Sequence, residues 1–146
     1  MKVWVRNSLI LTVMVILGAI VFVWYVFNEK FTDTTKRKAH FTIDATELIR
    51  EYEKNATAAN VKYADKILIV SGIVSETETV DTSVNIKFSN EESGAYIIFA
   101  FQDQNIAEAK KIREGEKIKI KGSCSGGAYS EILESVFITF KRCVLN

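Results

Sequence analysis

The densest run of reactive residue types is Gly122-Ser123-Cys124-Ser125-Gly126, which has the spacing of a nucleophile elbow with Cys in place of Ser. An elbow needs a helix behind the nucleophile and a base beside it. Here a polar stretch follows, and the single histidine, His40, lies far upstream. Gly122, Gly126 and Gly127 likewise lack a following helix whose amides could cradle phosphate. One His and two Cys are too few for a metal site built from soft ligands. Carboxylates abound, yet no pair stands out. The chain is expected to be non-enzymatic, with no catalytic residues, metal or cofactor.

Cys124 and Cys143 form a candidate disulfide if the domain is exported, closing a loop worth about 3 kcal/mol. If each ends one of two antiparallel strands, they sit roughly 20 Å apart and remain separate thiols. Both readings stay open at this level. For binding, Lys117, Lys119 and Lys121 alternate with isoleucines and share one face. Together with Tyr96 and Tyr129 they make a candidate ligand face. The competing reading is a solvated face, or an edge strand guarded by Lys. Tyr96, Phe99 and Phe101 could stack bases, although strand aromatics usually face a core. From Ala64 onward ten basic residues meet twelve acidic ones, and the whole chain carries a net charge of +1. Single-strand binders need a basic groove, so nucleic acid is not the expected partner, nor is a small-molecule substrate.

Other segments must position these residues. Leu9 to Phe27 (LILTVMVILGAIVFVWYVF) carries no charge and as a helix spans roughly 28 Å, close to the ~30 Å of a bilayer core. Trp4, Trp24 and Tyr25 flank it where amphipathic rings favour the interface. The bulky Val26-Phe27-Asn28-Glu29 offers no small-residue cleavage site, and no Cys follows for lipid attachment. The expected organisation is a tail 1–8, an uncleaved transmembrane helix 9–27, a polar juxtamembrane linker 28–42 and a domain 43–146. Lys30, Lys36, Arg37 and Lys38 after the helix argue for a cytoplasmic body. The short tail with Lys2 and Arg6 fits a signal anchor that exports the domain C-terminal to it. The reading adopted is export to the periplasm. His40 is read as a surface residue.

Within the domain, Asp44 and Glu47 have capping-box spacing, which predicts a helix from about Ala45 to Asn55, broken or extended through Ala59. Asn55-Ala56-Thr57 fits a glycosylation acceptor by chance. Strands are predicted at 67–74, 83–88, 95–101, 117–122 and 136–140, the last running on towards Val144, with a short helix at 106–112. That order matches an oligonucleotide/oligosaccharide-binding (OB) barrel. The competing fold is a half-open α+β sheet. The expected class is mainly β (α+β), a five-stranded OB-like barrel with an N-terminal helix behind a single transmembrane helix.

The run Ala59 to Val74 (ANVKYADKILIVSGIV), with its Ala, Lys62-Tyr63 pair, Lys66 and apolar strand ending in Gly72-Ile73-Val74, resembles the opening of the bacterial tRNA-anticodon-like OB family (tRNA_anti-like). Ile112 to Gly126 resembles its fourth strand and turn, and Ile138 to Cys143 its closing strand. The stretch Gly127 to Ser135 is longer than the family pattern, which leaves the start of the fifth strand open. The resemblance implies an OB fold and brings no catalytic residues. The expectation is a membrane-anchored binding or assembly module whose face and loops around Glu76–Ser83 and Ser125–Ser135 contact a protein or glycan of the cell envelope. The alternatives are a structural subunit of an envelope complex and a cytoplasmic single-stranded nucleic-acid binder.

Overall fold

The computed structural model describes residues 2–27, 34–101 and 103–146, with backbone alone for 2–6, 9, 26, 27 and 103. The expectations placed on the side chains of Lys2, Trp4 and Arg6, and on Lys30, fall outside the described residues. The chain forms two units, Met1–Thr32 and Asp33–Asn146.

The first unit is one helix, α1 (Lys2–Phe27). It starts at Lys2, so the expected tail 1–8 continues the helix. Thr12 donates its hydroxyl to Ser8 O at 3.0 Å, which satisfies that polar group within the helix. Apolar residues surround the axis, and every side chain from Ile10 to Tyr25 is exposed. Among the described residues no helix is long and apolar enough to cross a membrane. The expected span 9–27 therefore rests on the sequence.

The second unit begins earlier than expected. A 3-10 turn, Thr34–Lys36, packs against the sheet with Thr34 buried. His40 donates its amide to Ile67 O (2.7 Å), and its Nδ1 accepts from Ile67 N (3.2 Å). His40 thus pins the start of β1 (Phe41–Asp44), which pairs in parallel with β2 (Ile67–Ile73). Residues 34–42 are therefore part of the folded domain, not free linker.

Asp44 caps α2 (Ala45–Lys54) by accepting from Thr46 N at 3.0 Å. Ala45, Leu48, Ile49 and Tyr52 recur on one face and are buried. Asn55 breaks the helix: its extended backbone ends α2, and its side chain caps α3 (Ala56–Tyr63) by accepting from Ala58 N at 3.0 Å. Its side chain thus already serves as a helix cap.

The remaining strands are β3 (Glu76–Val80), β4 (Ser83–Ser89), β5 (Tyr96–Phe101), β6 (Lys117–Ser130) and β7 (Ser135–Leu145), with α4 (Ile106–Ala109) between β5 and β6. Their alternation is plain in β4, where Val84, Ile86 and Phe88 are buried between more exposed Ser83, Asn85 and Lys87. The hydrogen-bonded order is β1-β2-β6-β7-β5-β4-β3. This corrects the expected five-stranded closed barrel: among the described residues there are seven strands, and the ladder is open at β1 and β3. The chain itself links the two halves. Val74 and Ser75 carry β2, paired with β6, into β3, paired with β4, while Val74 N donates to Glu116 O and Ser75 N to Lys87 O. With β2 and β3 counted as one bent strand, the OB order is retained.

Two expected loops are strands. Glu76–Val80 is β3, and Gly127–Ser130 extends β6, so only residues 131–134 turn between β6 and β7. The small residues of β6 hid it in the sequence, and the packing explains them. A Cβ on Gly122 would meet Cys143 Sγ at 2.7 Å. One on Gly127 would meet Phe137 O at 2.7 Å and the Tyr52 ring at 2.9 Å. From α3, Asn60 locks this contact: Nδ2 donates to Gly127 O (2.8 Å) and Oδ1 accepts from Gly127 N (2.9 Å). Inside the sheet the Phe88, Phe99 and Phe140 rings pack in series at 4.8 and 5.0 Å.

Gly72 is where β2 passes closest to the core, since a Cβ there would lie 2.7 Å from Phe88 and 2.9 Å from Ala45. Gly72→Ala is expected to destabilise the domain by about 1–3 kcal/mol through overpacking. Thermal unfolding of the full chain in detergent, followed by near-UV circular dichroism, checks this; an unchanged midpoint would contradict the packing.

Candidate binding face

Along β4, β5 and β7 the inward residues fill the core, so the alternate positions build an outer face. Ser89, Tyr96, Phe137 and Ala128 form one cross-strand row, and Lys87, Ile98 and Thr139 form the next. The Tyr96 and Phe137 rings stack with centroids 6.4 Å apart and planes at 25°. Lys87 Nζ lies 5.2 Å from the Tyr96 centroid and is paired with the Glu76 carboxylate from β3. The result is a small, flat, partly exposed aromatic step whose single cation is already paired. Such a surface suits a planar or CH-rich ligand better than a polyanion.

The structure divides the expected face. Tyr96 belongs to this aromatic step. Tyr129 pairs with the inward-facing Val136, so it leaves the sheet on the opposite side at the hairpin end. Lys117, Lys119 and Lys121 lie opposite Ile73, Ser71 and Ile69. The Tyr96 row crosses β6 at Ala128, seven positions beyond Lys121, which at ~3.3 Å per residue is roughly 20 Å away. Since β6 lies between β2 and β7, the lysines do not guard an edge. Lys121 Nζ donates to Thr35 O at 3.2 Å. Phe137 and Lys87, absent from the sequence-based set, complete the step with Tyr96. The alternation of Val136-Phe137-Ile138-Thr139-Phe140 marks Phe137 as facing away from Ile138, but only the register brings it to Tyr96. A second concavity of about 260 Å3, floored by Ala45, Gly72 and Phe88 and rimmed by Asp44, Glu91 and Lys117, is smaller than the ~300 Å3 at which ligand pockets begin.

The elbow-like Cys124 sits in mid-strand, where its Sγ accepts from Gly126 N at 3.4 Å and lies 3.7 Å from the Tyr52 hydroxyl. Burial pushes the Tyr52 hydroxyl up, with the neighbouring Cys124 adding to the effect. Cys124 and Cys143 are free, buried thiols. Because β6 runs on to Ser130, Cys124 pairs with Phe140 and lies within a few residues of Cys143 in register, rather than at the far end of a hairpin. Burial raises both thiols, Cys143 well above the ordinary range. The folded state therefore keeps protons that the unfolded chain releases above about pH 8.5. Stability should be fully present below that pH and fall as pH rises past it. Denaturant titrations at rising pH check the decline, and native chain should resist an aromatic disulfide reagent until it unfolds.

Among the described residues no group of His, Cys, Asp and Glu could hold a metal ion. No curated protein matches the sequence. A candidate nucleic acid-binding lipoprotein from Klebsiella pneumoniae subsp. pneumoniae superposes with a TM-score of 0.53 at 15% identity, over 71% of this chain and 90% of that one. At that identity the likeness is one of fold. A candidate aspartyl-tRNA synthetase from Leishmania major Friedlin aligns with a TM-score of 0.46 at 12% identity, over 76% of this chain and 21% of that one. An OBody bound to hen egg-white lysozyme aligns with a TM-score of 0.44 at 15% identity, over 57% and 84% of the respective chains. The tRNA_anti-like family pattern matches residues 1–135. That span takes in α1, the helices and the strands through β6, and the chain belongs to the tRNA_anti-like family.

Proposed function

We propose that the chain is a membrane-anchored, non-enzymatic OB-type module that binds a protein or glycan of the cell envelope through the Tyr96–Phe137 face. The stacked ring pair carries the reading: two large aromatics held side by side on an outer face, rather than in the core, fit a recognition surface. The non-enzymatic part is supported by Cys124, whose burial and raised ionisation oppose nucleophilic use.

Anchoring is supported by α1, whose exposed apolar side chains run from Ile10 to Tyr25 on all sides. A helix apolar all round is stable only when something apolar surrounds it. The uncharged sequence 9–27 supplies the length for a bilayer. The proposed body is exported.

A cytoplasmic nucleic-acid reading has one specific observation in its favour, the same stacked pair beside Lys87. Against it, Lys87 is neutralised by Glu76 and the basic stripe on β6 stands apart. A photo-crosslinker at Ile98, with the anchor kept in native membranes, distinguishes these readings. Stoichiometric protein or glycan adducts are expected, and nucleic-acid adducts or none would overturn the proposal. Tyr96→Ala with Phe137→Ala should weaken capture about 30-fold, the effect of losing ~2 kcal/mol of anchor contact.

A further inference from the structure

From the sequence alone Lys36-Arg37-Lys38 reads as a solvated linker or stop-transfer flank, or, in a cytoplasmic body, as a triad touching anionic lipid headgroups; the fold fixes its place. Thr34 is buried, Arg37 N donates to Thr34 O at 3.2 Å, and Lys121 Nζ donates to Thr35 O at 3.2 Å. The turn therefore lies against β6 and β7. Two residues from Lys121, Lys119 shares its outward side of β6. Lys141 follows on β7, opposite Ser123. Lys36, Arg37, Lys38, Lys119 and Lys141 are all exposed. Six basic side chains thus gather where the domain starts, although the chain as a whole is nearly neutral. Folding produces this concentration, by laying the 36–38 triad beside lysines some eighty residues away in sequence.

We infer that this basic collar is a docking surface for the anionic headgroups of a bilayer. The inference rests on the membrane-anchor reading, because in the sequence the 36–38 triad follows the apolar run 9–27 after only eight residues. Each Lys or Arg near an anionic surface is worth ~1 kcal/mol, about fivefold in the ratio of docked to undocked domain. The surface would hold the domain in one orientation and leave the Tyr96–Phe137 row, roughly 20 Å along β6, away from the collar.

The test reconstitutes the full chain in nanodiscs of phosphatidylcholine, with or without about one-third phosphatidylglycerol, a fraction that gives a strongly anionic surface. Both carry a trace of headgroup spin-labelled lipid, and line broadening is read at the Arg37, Lys121 and Ile132 amides. Broadening at Arg37 and Lys121 should rise several-fold with phosphatidylglycerol and vanish in high salt, while Ile132 at the hairpin tip stays unaffected. Lys36→Gln with Arg37→Gln and Lys38→Gln, all at exposed positions, should abolish the dependence on phosphatidylglycerol, read at Lys121. Carbonate-resistant retention is scored in parallel. A retained chain with equal broadening in both lipids overturns the collar and leaves the anchor reading standing. A chain that washes out overturns both.

Discussion

The domain depends on how closely two short helices approach the small-residue middle of β6, Gly122–Ala128. At Gly127 the Tyr52 ring and the Phe137 carbonyl leave no room for a methyl group. Asn60 then uses both ends of its amide to hold the Gly127 backbone. A half-buried amide pair with both hydrogen bonds made costs little, whereas the same backbone buried and left unpaired would cost about 1–3 kcal/mol per group. Glycine permits the contact and asparagine fixes its register. That contact sets where α3 ends and β2 can begin, and so where β6 must bend. A bulge on β7 at Arg142–Cys143 and one on β6 at Ser125 absorb the mismatch between these two strands.

From that bend the two faces of the sheet acquire different uses. The inner face is filled by Phe88, Phe99 and Phe140 with aliphatic neighbours. The outer face near the β6–β7 hairpin carries the Tyr96–Phe137 step, and the outer face near the domain's start carries the basic collar. Both surfaces are assembled from residues distant in sequence. An aromatic surface at one end and a charged surface at the other is the arrangement on which the proposed tethered binding module rests. Belonging to the tRNA_anti-like family accounts for the scaffold and leaves the ligand to the face.

Much of the scaffold was legible because its signals are local. The Asp44 cap, the Leu48-Ile49-Tyr52 spacing and the alternation in β4 and β5 each lie within a few residues, and helix and strand formed there as expected. The expectation failed where local pattern was silent. Ser125 to Ser130 has no apolar alternation because its partners are helices pressed against backbone, so a strand looked like a loop. Residues 34–40 look like linker because their stabilising partners, Ile67 and Lys121, lie far along the chain. The candidate face kept only Tyr96 of its expected set, while Tyr129 and the lysines went to other surfaces.

By itself the sequence determined the uncharged apolar run, the scarcity of His and Cys, and the β-rich character of the domain, since composition and short-range periodicity are properties of neighbouring residues. Only the tertiary structure decided that the described sheet has seven strands joined through Val74–Ser75, that Phe137 stands beside Tyr96, and that Thr35, next to the 36–38 triad, meets Lys121. Those facts depend on register and on bulges, and a shift of one residue in either would turn each side chain to the other face.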